Sequence, residues 1–253
     1  MQGFERNTHV RPAERGEPRI VGGIVGGRAA PARSWPWLVS LQHHGQHFCG
    51  GALIAKQWVL TPAPCNFSTV TDGLVIGRSF LSNTQNSDLI PAKAVYTHPG
   101  FAQFPSTDDL SLLQLEKPVQ IGEFVSLICL PGKDDEINLL SKCMTAGWGI
   151  TEPYQGEFSK TVQEAAVLLI SSTSCRSYWG LDIKNTNICG GAAGSSSCMG
   201  DSGGPLQCAH NGQYQLIGIV SWGSRNCQPT APTVFARISV YRDWIASVTG
   251  GEA

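Results

Sequence analysis

Cys198-Met199-Gly200-Asp201-Ser202-Gly203-Gly204-Pro205-Leu206 is the stretch on which the reading of this chain turns. A serine set between glycines on a tight turn exposes its hydroxyl, while nearby backbone N–H groups point at one spot. That convergence is what stabilises a developing oxyanion. The plain alternative is a glycine-rich hairpin loop without chemistry, and it does not account for so long a pattern.

Working outward, strand-like runs follow one another closely. They cover 37–42, 51–54, 58–61, 73–77, 92–97 and 110–114, then, after a linker near 117–124, 142–148, 163–170, 187–189, 205–209, 216–222 and 233–237. Glycine (29) and proline (15) punctuate them, and helix-type periodicity is rare. Two sets of short strands predict an all-β chain of two antiparallel six-stranded barrels, over about 24–123 and 124–237. The tail differs. Val240, Trp244, Ile245 and Val248 fall on one helical face, which predicts a terminal helix over 240–248.

The chain has 253 residues, 42% of them hydrophobic, and a net charge of −1. A sizeable core is available, no basic face points to nucleic acid, and no apolar run approaches the roughly 20 residues that span a bilayer. Nine widely spaced cysteines, none in a Cys-x-x-Cys pair, point to disulfides and an oxidising, extracellular setting rather than zinc. Residues 1–19 read as a disordered or propeptide-like extension, with the folded domain over 20–249. That extension lacks the apolar core of a signal peptide, so either the export signal lies outside this sequence or the chain is cut from a longer one.

Further motifs surround the serine: Ile24-Val25-Gly26-Gly27, Ser34-Trp35-Pro36-Trp37, Cys49-Gly50-Gly51, Trp58-Val59-Leu60-Thr61, Thr145-Ala146-Gly147-Trp148-Gly149 and Ser221-Trp222-Gly223. With the stretch at 198–206, they make the chain resemble the chymotrypsin-like serine proteases from Ile24 to about Trp244. The segment from Tyr178 to Pro205 is most like the chymotrypsinogen branch. The resemblance implies that Ser202 is the nucleophile and that the N–H groups of Gly200 and Ser202 form the oxyanion hole. It implies that Asp109, in Asp108-Asp109-Leu110-Ser111-Leu112-Leu113, is the triad carboxylate. Without it, both acids would read as turn residues.

The same family places Ala-Ala-His-Cys after Val-Leu-Thr. Here the sequence is Thr61-Pro62-Ala63-Pro64-Cys65, so Pro64 holds the position of the general base. Proline carries neither a titratable group nor a backbone N–H. Ser202 is thereby left without a proton acceptor, and Asp109 is expected to lose a hydrogen-bond donor and to take up a proton more readily. The six histidines offer no substitute. His9 is in the extension, His43 and His44 are at a hairpin tip, His98 is in a loop, and His210 is at a turn. By resemblance, His47 binds the zymogen's aspartate, here Asp201, with Ser40 behind it. No metal or other cofactor is implied.

By the same resemblance, Ser196 forms the base of a specificity pocket, with Ser221, Trp222, Gly223 and Thr233 around it. A neutral base and Thr233 favour a medium apolar side chain. Family pairing joins Cys49 to Cys65, Cys143 to Cys208, Cys175 to Cys189 and Cys198 to Cys227. It leaves Cys129 over, for an upstream segment, a second chain or a free thiol. Asn66-Phe67-Ser68 is a glycosylation sequon, or an unused surface loop. Arg78 stands where calcium-binding relatives place an acid. Activation would cut after Arg19, but Ile-Val-Gly-Gly occurs twice, at Ile20 and Ile24, and Ile24 is the copy in family register. The resulting expectation is a secreted protease homologue, impaired by Pro64, that holds a peptide or protein ligand in the former substrate cleft. The alternatives are an active endopeptidase cleaving after medium apolar residues, or a binding module of a larger mosaic protein.

Overall fold

The computed structural model describes residues 27–81, 88–103, 106–150, 157–191, 201–224, 228 and 230–253. Strand β1 (Arg28–Ala29) comes first, and six further strands form the first barrel: β2 (Leu38–His43), β3 (Gln46–Ala55), β4 (Trp58–Thr61), β5 (Asp72–Ile76), β6 (Ala92–Thr97) and β9 (Ser111–Leu115). A small hairpin, β7 (Ala102–Gln103) with β8 (Ser106–Thr107), lies between the last two. The barrel strands are ordered β5-β2-β3-β4-β9-β6. Leu74 and Ile90 exchange two backbone hydrogen bonds (2.9 and 2.8 Å) and so join β5 to the segment entering β6.

The second barrel contains β10 (Cys143–Gly147), β11 (Gln163–Val167), β12 (Leu169–Ile170), β13 (Asn187–Gly191), β14 (Pro205–His210), β15 (Gln213–Trp222) and β16 (Pro232–Arg237). With β1 they form one sheet in the order β1-β11-β10-β14-β15-β16-β13-β12. The predicted strand 163–170 is broken at Leu168, whose side chain is exposed. Its two halves pair with opposite ends of the sheet, β11 with β10 and β12 with β13, which curls the sheet back towards itself.

Alternation explains why the first barrel reads as near-continuous apolar runs. On β9, Leu113 and Leu115 face the barrel interior with Val39, Leu41, Leu53, Val59 and Leu74. Leu112 and the adjacent Leu110 face the other way, with Ile54 and Leu60, and meet Leu216, Ile219, Ile238 and Ile245 from the second half. Both faces of these strands are therefore buried. Each such leucine removed from water contributes roughly 1.5–3 kcal/mol, and this shared cluster holds the barrels together along the seam where the candidate site lies.

Helical structure departs from expectation in two places. The tail forms a 3-10 turn (Ile238–Tyr241) followed by helix α2 (Arg242–Thr249). Ile245 is fully buried, but Val240 lies in the turn and is 46% exposed, while Tyr241 takes the inward position. An additional helix, α1 (Ser172–Trp179), has only Cys175 buried and so shows no apolar stripe. It is set instead by local chemistry. The Ser171 hydroxyl accepts the Ser174 N–H at 3.1 Å, Gly180 ends the helix, and Cys175 is bonded to Cys189 on β13.

Candidate active site

The turn that follows β4 carries the altered position. Thr61 donates its hydroxyl to the Gly50 carbonyl (2.8 Å), which ties the end of β4 to β3. A 3-10 turn (Ala63–Cys65) follows, fastened by the Cys49–Cys65 disulfide and ended by Asn66 in the left-handed region, φ 47°. Pro64 sits inside the first turn, where an N–H has no intrahelical partner, so the ring fits without breaking a backbone bond. Pro64 is exposed, and its predecessor Ala63 donates its N–H to Asp109 Oδ1 at 3.0 Å.

Asp109 is only 4% exposed. Besides Ala63, it accepts from the Ser221 hydroxyl on β15 and from the Ser106 hydroxyl on β8 at 3.3 Å. Pro64 itself donates nothing to the carboxylate, whose donors are Ala63, Ser221 and Ser106. Burial still pushes the carboxyl up to about 6, against the lowering effect of Ser221, Ala63 and Ser106. Asp108, at φ 47°, turns the other way and accepts the Tyr241 hydroxyl at 3.1 Å. Ser221, expected in the pocket wall, has its hydroxyl on the carboxylate. Ser106, on β8, lies only three residues before Asp109, so its contact is local.

The serine turn is pinned from both barrels. Gly50 N–H donates to the Ser202 carbonyl (2.7 Å), Gly203 N–H to Val220 (3.0 Å), and Val220 N–H to Gly204 (2.9 Å). At Gly203, φ is +90° and a Cβ would fall 1.9 Å from the Gly50 carbonyl oxygen and 3.0 Å from Pro62 Cδ. Glycine is therefore obligatory here, and the same contact places the serine turn directly against the Pro62–Pro64 turn.

Asp201 is 1% exposed and accepts the Gly149 N–H at 3.0 Å. A Cβ at Gly149 would meet its Cγ at 2.3 Å. Ser40 Oγ and His47 Nδ1 lie 2.8 Å apart, and the His47 ring packs on Trp148, between the two glycines that bound Asp201. Ser40, His47 and Asp201 thus share one buried neighbourhood. In the expected pocket, a Cβ on Gly223 would lie 3.7 Å from Thr233 Cα, and Trp222 packs edge-on against Trp179 at 5.1 Å. Arg19, Ile20, Ile24, Ser196, Cys198, Gly200 and Cys227 lie outside the described residues.

None of the described histidines replaces the missing imidazole at Asp109. His43 pairs with Asp72 at 2.6 Å, and His44 and Gly45 form the β2–β3 turn. His98 packs against Tyr241 and Trp244, and His210 ends β14. Arg78 pairs with Asp88 at 3.3 Å. Three expected disulfides are present, Cys49–Cys65, Cys143–Cys208 and Cys175–Cys189. Cys129 is an exposed free thiol 3.7 Å from Gln213 Oε1.

Comparison with known proteins agrees with this arrangement. Human serine protease 56 is 38% identical over 242 residues, which is 93% of this chain and 40% of that protein. The chain therefore spans less than half the length of this relative. The trypsin family model matches residues 24–245, reaching from the second Ile-Val-Gly-Gly into α2. Two such barrels, the serine turn held between them and a match over most of the chain's length show that this protein belongs to the trypsin family of chymotrypsin-like serine proteases.

Proposed function

We propose that this chain is a secreted protease homologue that no longer turns over peptides efficiently and instead holds a peptide or protein segment in its cleft. One observation carries the reading. Where a general base belongs, an exposed proline occupies the turn, and among the described residues the hydrogen bonds on Asp109 come from Ala63, Ser221 and Ser106.

The chemistry follows from that arrangement. A serine hydroxyl attacks a carbonyl only as its proton leaves, and here no imidazole receives it. Asp109 does not substitute, because burial and three donors keep its oxygens occupied. What remains is a serine on a rigid turn, with the donors of that turn able to polarise a bound carbonyl. In serine proteases of established mechanism, the oxyanion hole and substrate binding alone support roughly a thousandfold rate over water when a triad member is lost. The three disulfides fit an oxidising compartment, which supports secretion.

Labelling with an activated fluorophosphonate, before and after trypsin treatment, tests the reading. Slow or absent modification of Ser202, with no burst of ester hydrolysis, is the expected result. Labelling and turnover within a hundredfold of an active chymotrypsin would overturn it.

A further inference from the structure

The loop that leaves the altered turn has its own chemistry. Asn66-Phe67-Ser68 has the pattern that accepts an N-linked oligosaccharide. In the structure Asn66 is exposed, and its side-chain amide has no hydrogen bond to any described residue. Phe67 is buried at 7% in the first-barrel core, so the loop is rooted from below while Asn66 remains accessible. Two residues past Ser68, the hydroxyl residue of the sequon, Val70 is 90% exposed, more than any other large apolar side chain described. Its N–H is spent on the Ser68 hydroxyl at 3.3 Å. An isolated apolar tip beside an unbonded acceptor amide is the surface that a sugar chain would cover.

We infer that Asn66 carries an N-linked oligosaccharide that shields the tip of this loop, including Val70. The inference rests on the secretion reading above. It also bears on the cleft. Pro64 and Asn66 are separated by no more than about 7 Å of backbone, so a glycan on Asn66 stands close to the Pro64 turn.

The full chain is directed into the secretory pathway of a eukaryotic cell by a heterologous leader, so that glycosylation is read independently of natural export. Peptide mapping is expected to find a glycan on Asn66, lost in Ser68→Ala. That variant is preferred because Asn66 sits at φ 47°, a conformation asparagine tolerates better than its replacements. Asn66→Gln provides the second variant. Thermolysin should cut the Thr69–Val70 bond at least severalfold faster in the parent once an amidase has removed the sugar, whereas Ser68→Ala also loses the hydroxyl that holds the Val70 N–H and so reports glycan occupancy only. An unmodified Asn66 in protein that has passed through the pathway overturns the inference, as do equal cutting rates with and without the sugar. Failure of the natural full-length protein to be exported would overturn the secretion reading instead.

Discussion

The two turns that meet at the candidate site were treated differently by the same backbone. The serine turn is tightly constrained. Gly203 has a positive φ, no room for a Cβ and an N–H held by Val220, while the carbonyls of Ser202 and Gly204 on either side accept from Gly50 and Val220. The turn at Pro64 is constrained only along the main chain, by the Cys49–Cys65 disulfide and by Ala63 reaching Asp109, while its central side chain is open to solvent. The second turn accepts a proline without loss of an intrahelical hydrogen bond, whereas a side chain at Gly203 would clash with Gly50. On the proposed reading, architecture and chemistry are separable here because they rest on different atoms.

The largest effect expected from this contrast is on turnover. Loss of the base alone lowers kcat by about a million-fold in a serine protease with the same triad, and hydrolysis of activated esters by the purified parent protein should show a deficit of that order. Pro64→His should recover part of it. Pro64→His combined with deletion of residues 20–23 should recover clearly more after trypsin treatment, since it leaves only the Ile24 copy of the activation sequence. Equal activity in the two variants would show that the duplication does not matter.

Stability should divide the turns in the opposite sense. Gly203→Ala is expected to destabilise by about 4 kcal/mol or more, because strain and a backbone clash coincide. Denaturant unfolding is the measurement, and a loss below about 1 kcal/mol would show that the serine turn yields more than its contacts suggest. Pro64→Ala should change stability by less than about 1 kcal/mol, through the unfolded chain alone.

Asp109 gives a pH-dependent effect of intermediate size. Its folded-state value of about 6 lies above the ordinary 3.8, so the protonated form is favoured in the native protein. Its contribution to stability is fully present below pH 4 and is lost as pH rises towards 6 and beyond. At full ionisation the difference is on the order of 3 kcal/mol. Relative to Asp109→Asn, the parent should therefore lose stability between about pH 4 and 6, and parallel curves for the two proteins would refute the burial argument. The smallest effect concerns Cys129. Alkylation without reduction should modify this thiol and none of the six cysteines joined in the three observed disulfides. A Cys129 bonded within this chain would break the pairing scheme.

Much of this was legible before any coordinates. Short strand-like runs and the glycines around Ser202 follow from local rules, so strands and serine turn could be read residue by residue, while the disulfide partners came from the family resemblance. Pro64 was legible for the same reason, since the absence of an imidazole is a property of one side chain. Helix α1 was not, because its stability comes from a cap and a disulfide rather than from an apolar stripe. Neither was the set of donors on Asp109. Ser106 is a local donor, three residues before the carboxylate, but Ser221 arrives from the other barrel and Ala63 from the turn after β4. Hydrogen bonds between residues distant in the chain depend on how two barrels dock, and burial, which lifts the carboxyl to about 6, exists only once they have done so. Local pattern decided which residues are present and what each can do. Docking of the barrels decided which of them touch, because only packing removes water and brings remote donors within 3 Å or so of an acceptor.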